Sequence, residues 1–529
     1  MNTKVKLIMG FLALSVQLIF SKADASTSTS DINISAFGAK PDGSSDNTAI
    51  IQKAIDQCAE SGGGTVHFPP GIYMSGTIFL KTNVSIHLAK SSVLKGIAAD
   101  GSYPVTRSGK KGFIRIDNVS NITISGEGTI DGSGDHEVFQ KGDNAILRPF
   151  LLECLGSDNI VVKGVRLQNS AFWTFHIFES NGVRVDGVSI YSHSNFNNDG
   201  IDIDSKNVII SNCLIDTDDD ALCFKSDGKL MCENVTVSNC ILASNCNFIK
   251  FGTSSYGGFK NIVIGNCALR PATESKFRHW DRNLEGVTDK ISGISGIALE
   301  IVDGGTMDQV AISNIAMSGV QTPIFMRLGS RKNPTGSLKN ILISNIVATT
   351  HSKIPSSIVG VPGFHVENVV LRDIMLNCMG TGSASDAARK VPENEKGYPE
   401  NRMFGCSLPS YGLYVRHARD LELENIRVAL VSPDARPAIL LDDCHNVGIH
   451  NLHADRPSND QPLIRMIDST NVNVSRYQSI IPIARFLLVE GEKSSDIKLS
   501  GNDFSRVKNV SELGSGCKAA TVKQLMNFQ

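Results

Sequence analysis

From about residue 119 onward the chain repeats itself. An Asn opens an alternating apolar triplet, and a second Asn or a Gly precedes another short alternating strand. Examples are Asn159-Ile160-Val161-Val162, Asn207-Val208-Ile209-Ile210, Asn234-Val235-Thr236-Val237, Asn261-Ile262-Val263-Ile264 and Asn340-Ile341-Leu342-Ile343, with shorter echoes at Asn368-Val369, Asn446-Val447 and Asn471-Val472. Positions 159, 182, 207, 234 and 261 are 23, 25, 27 and 27 residues apart, and after two insertions the spacing returns to 26, 25 and 25. A period of roughly 20 to 50 residues marks a solenoid. The units carry period-two strands, Asn or Gly turns and no helical spacing. The fold expected is therefore all-β, a right-handed parallel β-helix with one unit per coil.

Register supports the period. Five residues after the leading positions lie Asn212, Asn239, Asn266, Asn314, Asn345, Asn425 and Asn451, with Gly164 and Gly187 in the earlier coils. Asn tolerates a left-handed turn, and its amide can bond to the equivalent amide one coil up. One residue further on come Val165, Val188, Cys213, Cys240, Cys267, Ile315, Ile346 and Ile374. Three cysteines thus stand in an inward apolar row, where they read as small hydrophobes and not as a disulfide or metal set. The N-(V/I)-(S/T) sequons from Asn83 to Asn234 are likewise what the coil pattern writes.

Ahead of the solenoid, Ile50, Ile51, Ala54, Ile55 and Cys58 have helical spacing, and Gly62-Gly63-Gly64 ends it. A helix here would cap the open end of the core. The organisation expected is a signal segment over 1–25, a cap and first coil over 26–80, the β-helix over 81–506, and a polar tail over 507–529 with a short helix near Ala519 to Met526. Two insertions interrupt the repeat, at about 272 to 292 with His279-Trp280-Asp281 and at about 379 to 410. Loops that long on a rigid scaffold build binding grooves.

Composition closes off other classes. The 51 basic and 53 acidic residues leave a net charge of −2, without the basic surplus of a nucleic-acid binder. Lys4 and Lys6, the apolar run Leu7 to Phe20 and Ala23-Asp24-Ala25 read as a secretory signal cleaved after Ala25. Nothing later is long and apolar enough to span a bilayer. The expectation is a secreted or periplasmic monomer, with no membrane and no nucleic acid as partner.

One turn departs from the repeat. Asn197-Asn198-Asp199-Gly200-Ile201-Asp202 is followed one coil later by Asp216-Thr217-Asp218-Asp219-Asp220-Ala221. Asp199 and the pair Asp219 and Asp220 should sit on adjacent coils, about 4.8 Å apart along the axis. Carboxylates that close repel, so at least one pKa should rise. A protonated acid beside an ionised one is the equipment of acid–base hydrolysis. A calcium site or a solvated acidic turn is the plainer alternative.

These residues, with Trp173 and His176 in the preceding coil, resemble the N-T-D and D-D motifs of family 28 glycoside hydrolases, the polygalacturonases. Phe37-Gly38-Ala39, Asp42-Gly43, Asp46-Asn47, Gly62-Gly63-Gly64-Thr65-Val66 and Pro69-Pro70-Gly71 are similar to that family's N-terminal segment. The resemblance implies a right-handed parallel β-helix and inverting hydrolysis of a pectic polysaccharide without metal or other cofactor. It gives Asp219 the role of general acid, and Asp199 and Asp220 the activation of water. Asn197, Asp202, Asn247, Lys250 and Glu300 are the expected substrate-binding residues.

Two motifs of that family differ. Asn247 stands where the His of G-H-G would lie, and Ala298 and Glu300 replace the Arg and Lys of R-I-K. In the family those cations face a galacturonate carboxylate. An ionised Glu300 facing the same groove would reject a uronic acid by about 1–3 kcal/mol, so the sugar expected at the cleaved bond is neutral or only singly acidic in its neighbourhood, in a rhamnogalacturonan-type or other atypical pectic region. Lys225, Lys250, Arg327, Arg331 and Arg416 are further cations, each read alone as solvated. A lyase using carboxylate-bound Ca²⁺ and a non-catalytic carbohydrate-binding solenoid are the competing classes.

Overall fold

The computed structural model describes residues 30–528 apart from 107–108, 141–147, 277–292 and 333. The signal segment and His279-Trp280-Asp281 lie outside the described residues. Successive strands stack in parallel along one continuous sheet system, so the chain winds as a right-handed parallel β-helix. One inward row shows the register: Val183, Val208, Val235, Ile262, Val310, Ile341, Val369, Leu421, Val447, Val472 and Ile497 pair one with the next. All are buried. At about 4.8 Å per coil this row alone forms an apolar column on the order of 50 Å long.

Two asparagine ladders run up the outside. In the leading ladder, Asn207 Nδ2 donates to Asn181 Oδ1 at 2.7 Å, Asn234 to Asn207 at 3.1 Å and Asn261 to Asn234 at 2.7 Å. In the second, Asn345 donates to Asn314 at 2.9 Å and Asn451 to Asn425 at 2.6 Å. Both rows hold φ near +55°, for example 57° at Asn212 and Asn234. The side-chain amide therefore serves the turn twice, by tolerating the left-handed backbone and by bonding to the coil below. All twelve cysteines are free thiols, and Cys213, Cys240 and Cys267 lie in the inward row.

Helix α1 spans Thr48–Glu60 and buries Ile51, Ala54, Ile55 and Cys58. Asp46 Oδ1 accepts from the Thr48 backbone N–H at 2.8 Å. The glycines after the helix let the chain turn beneath the next coil, since a Cβ on Gly63 would lie 2.5 Å from the Asn83 carbonyl oxygen.

Parallel pairing is present in the 26–80 segment expected to hold a first coil, and it continues past the expected end at 506. Strand Ser30–Asn33 pairs with Gly64–Phe68 and Asp42–Asp46 with Gly71–Ser75. At the other end Val507–Leu513 pairs with Ile483–Glu490, and Val522–Leu525 with Ser495–Ser500. The segment expected as a polar tail with a helix is thus a last coil, in which Ala519–Thr521 makes only a 3-10 turn. The open ladder edge at Ser495–Ser500 offers hydrogen bonds that a short isolated helix cannot match.

Candidate active site

The site sits where one strand of each coil begins. Ile201 pairs with Leu222 and Leu222 with Ile249, which brings Asp199, Asp220 and Asn247 into line two residues upstream. Backbone rungs fix that line: Thr174 N–H to Asp199 O at 2.9 Å, Gly200 N–H to Asp220 O at 2.8 Å and Ala221 N–H to Asn247 O at 2.9 Å. Gly200 permits the approach, because a Cβ there would lie 2.4 Å from the Ala221 oxygen. Asp219 is held at the turn: Thr217 Oγ1 and Ser244 Oγ donate to its carbonyl at 2.8 and 2.7 Å, and its Oδ1 accepts the Asp220 N–H at 2.9 Å.

Oxygens of Asp199 and Asp220 approach within 4.8 Å, as do those of Asp219 and Asp220. All three side chains are largely buried, and Asp219 keeps the most exposure at 6%. Two lysines balance the cluster. Lys250 Nζ lies 3.0 Å from Asp220 Oδ2, while Lys225 Nζ lies 3.3 Å from Asp202 Oδ1 and 3.9 Å from Asp199 Oδ2. Burial works against each ammonium charge, but Asp202 and Asp199 beside Lys225, and Asp220 beside Lys250, hold both lysines well above their ordinary pKa.

The carboxylates separate accordingly. Burial, then the charges of Asp202 and Asp219, push Asp199 well above the ordinary range. Burial also raises Asp202, to about 6, against the pull of Lys225. Asp220 feels the same burial, but Lys250 and hydrogen bonds from Cys246 and Asn247 hold it near 2. Asn247 donates from Nδ2 to Asp220 Oδ1 at 2.7 Å. Asp199, which holds its proton more tightly than an ordinary carboxyl, therefore faces an ionised Asp220 across one coil step, the kind of split that acid–base chemistry uses.

The remaining residues sort by position. Asp202 pairs in register with His176, whose imidazole burial drives down to about 4 and thus keeps neutral. Lys225 Nζ stands 4.4 Å over the half-buried Trp173 ring. Asn197 lies at the rim, its Oδ1 accepting from Arg148 at 3.1 Å. Asp216 and Asp218 turn away and pair with His193 at 2.9 and 3.5 Å.

Glu300 corrects an expectation. It lies close to Lys250 in the electrostatics of the site but is 1% exposed, and burial raises its pKa to about 8. It is a neutral acid at pH 7, so the like-charge rejection of a uronic acid does not operate there. Lys250 and Arg327 are likewise buried, not solvated. The long insertion supplies what sequence reasoning missed: Tyr398, whose hydroxyl lies 3.5 Å from Lys250 Nζ and whose ring meets both Lys250 and Arg331 at 5.8 and 5.7 Å. A lone Tyr among Gly, Pro and Glu carries no pattern that would have marked it.

A parallel β-helix with buried carboxylates on neighbouring turns defines this chain as a solenoid with a candidate acid–base site. Residues 65–245 match the family model described as glycosyl hydrolases family 28, and the resemblance read from the motifs holds over the coils of Asp199, Asp219 and Asp220. The match stops two residues before Asn247, where the motif departures begin. The chain is 28% identical to a probable polygalacturonase of Vitis vinifera over 36% of its own length and 43% of that protein. It is 29% identical to the endo-xylogalacturonan hydrolase A of Aspergillus tubingensis over 35% of itself and 47% of that protein. The chain thus spans less than half the length of these relatives. In fold it is similar to the hyperthermoactive exopolygalacturonase of Thermotoga maritima, with a TM-score of 0.58, 21% identity, and 76% of this chain and 92% of that one covered.

Proposed function

We propose that the chain is an exported glycoside hydrolase that cleaves a pectic polysaccharide with inversion. The observation that carries this reading is the split within the carboxylate cluster: Asp220 ionised against Lys250, Asp199 pushed upward by burial, and Asp219 beside them at the more open edge. In this reading Asp220 takes the proton of the attacking water and Asp199 orients that water. Asp219 protonates the departing glycosidic oxygen.

The geometry speaks against a calcium-dependent lyase. Ammonium groups of Lys225 and Lys250 already stand beside Asp199, Asp202 and Asp220, so a divalent cation would enter against two fixed positive charges. The substrate is a galacturonan-type chain with an atypical unit at the cleaved bond, because Asn247 and Ala298 offer no cation and Glu300 offers a neutral acid. Incubation with polygalacturonate, xylogalacturonan, rhamnogalacturonan and neutral galactan, with products read by mass spectrometry and near-ultraviolet absorbance, tests this. Saturated oligosaccharides from a decorated pectin support it. Unsaturated products, or fastest cleavage of plain polygalacturonate, would contradict the mechanism or the subsite reading respectively.

A further inference from the structure

Far from the carboxylate cluster, three histidines converge on one aspartate. The row through Cys223, Lys250, Ala298, Phe325, Ser357, Tyr414 and Leu440 takes six parallel strand steps to reach this second place. That distance is on the order of 29 Å.

His417 and Asp443 occupy equivalent left-handed turn positions on neighbouring coils, with φ of 51° and 52°. His445 follows two residues after Asp443. His365 comes from the tight turn closed by reciprocal backbone bonds between Val361 and Phe364. Each element is therefore fixed by its own backbone pairing and not by the cluster.

The donor atoms are already arranged. His445 Nε2 lies 3.3 Å from Asp443 Oδ1, and His365 Nε2 lies 3.4 Å from Asp443 Oδ2. Donor atoms of His365, Asp443 and His445 all fall within 4.8 Å of one another. Ligands about 2.0–2.1 Å from a tetrahedral zinc ion are about 3.3 Å apart, which both separations match.

A second set of contacts points the same way. His445 Nδ1 lies 2.8 Å from Thr470 Oγ1, so the ring can donate there and leave the Nε2 lone pair facing Asp443. His365 Nε2 is shielded from water and makes no hydrogen bond among the described residues. His417 bridges Asp443 Oδ2 at 2.6 Å and Glu393 Oε2 at 3.1 Å. The ligand carboxylate is thereby oriented by an imidazole that is itself anchored to the insertion. Metal-binding histidines and carboxylates are held by outer contacts of this kind.

We infer that His365, Asp443 and His445 form a binding site for a divalent transition ion of the zinc class, with His417, Glu393 and Thr470 as positioning residues. Two imidazole nitrogens with one carboxylate suit zinc, nickel or copper, whereas calcium and magnesium prefer all-oxygen shells. The side chains keep 16%, 24% and 31% exposure at His365, Asp443 and His445, so an ion can reach them from solvent. A bound ion would tie the 361–365 turn to the coil of Ile439–His450 and stiffen the wall from which the insertion carrying Glu393 rises.

The test uses untagged full chain treated with chelator. Calorimetric titration with Zn²⁺ should show one equivalent bound with a Kd near 1 µM or tighter, and 100 µM Zn²⁺ should raise Tm by at least about 3 °C. Co²⁺ should give visible absorption of tetrahedral intensity without a thiolate charge-transfer band. His365→Ala and His445→Ala should each weaken Zn²⁺ binding at least about tenfold, and Thr470→Val a few-fold. Asp220→Asn should leave it unchanged. Absence of Zn²⁺ binding up to 100 µM, absence of the cobalt spectrum in the parent, or unaltered binding in the His365→Ala/His445→Ala double variant would each overturn the inference. The cobalt spectrum of the parent keeps the test decisive even where a variant fails to fold.

Discussion

Replacing Lys250 by Met removes the cation that holds Asp220 ionised. Its Nζ lies 3.0 Å from Asp220 Oδ2, with Lys250 4% and Asp220 2% exposed. At an effective dielectric near 20, unit charges that close attract by about 5 kcal/mol. Removing one member of a buried pair typically costs about 3–5 kcal/mol, because the other charge is left without a partner. At about 1.4 kcal/mol per pKa unit, the same energy should lift Asp220 by about 2 to 4 units from its present value near 2. The sign follows from linkage. In the parent, Asp220 has a depressed pKa, so its stabilisation is present above the unfolded value near 3.9 and is lost as the pH falls towards 2. In Lys250→Met the folded pKa lies at or above the unfolded one, and that acid-side loss disappears. Urea unfolding should show the variant about 3 kcal/mol or more less stable at pH 7, with the gap narrowing at pH 4. Its activity should lose its acid limb at least one unit closer to neutrality. Adding Asp220→Asn to Lys250→Met should recover part of the stability. A variant within 1 kcal/mol of the parent at pH 7, with an unmoved acid limb, would refute the pairing and with it the assignment of Asp220 as the ionised partner.

Two further outcomes follow from the same physics. Burial raises Glu300 to about 8, so the folded state holds a proton that the unfolded chain releases near the ordinary Glu value of about 4.3. Stability should therefore fall with rising pH between about 4.3 and 8 through this group, and Glu300→Gln should remove a few kcal/mol of that slope in urea titrations. In the outer ladder, Asn234 holds φ at 57° and bonds to Asn207 below and Asn261 above. Asn234→Ala should cost more than Asn234→Gly by about 1 kcal/mol, because both lose the ladder amide but only Ala also resists the left-handed turn. Equal losses would mean that the ladder bonds alone matter.

The solenoid was legible because each coil writes its own turn: the Asn spacing, the inward Val, Ile and Cys row and the helical spacing before Gly62 are local signals repeated many times. Asp199, Asp219 and Asp220 stood out as breaks in that repeat. What the sequence could not show is how charges settle between coils. Lys225 and Lys250 looked like isolated surface cations, yet a shift of one coil brings each within ion-pair reach of a carboxylate. Glu300 looked like an anion facing sugar until burial made it a neutral acid. Residues 507–529 looked polar and terminal because an edge ladder can be filled by a weakly apolar strand whose partner lies a coil away. Tyr398 and the His365, Asp443 and His445 cluster come together from segments tens of residues apart, which no local pattern encodes.

The central claim is that the chain breaks glycosidic bonds with Asp219 as the proton donor. The most direct measurement compares reducing-end release by the parent and by Asp219→Asn on the best pectic substrate, with circular dichroism confirming the fold of both. The account predicts that the variant keeps the β spectrum and substrate binding while its rate falls at least about 10²-fold, as loss of a general acid produces. A folded Asp219→Asn protein as active as the parent would contradict it.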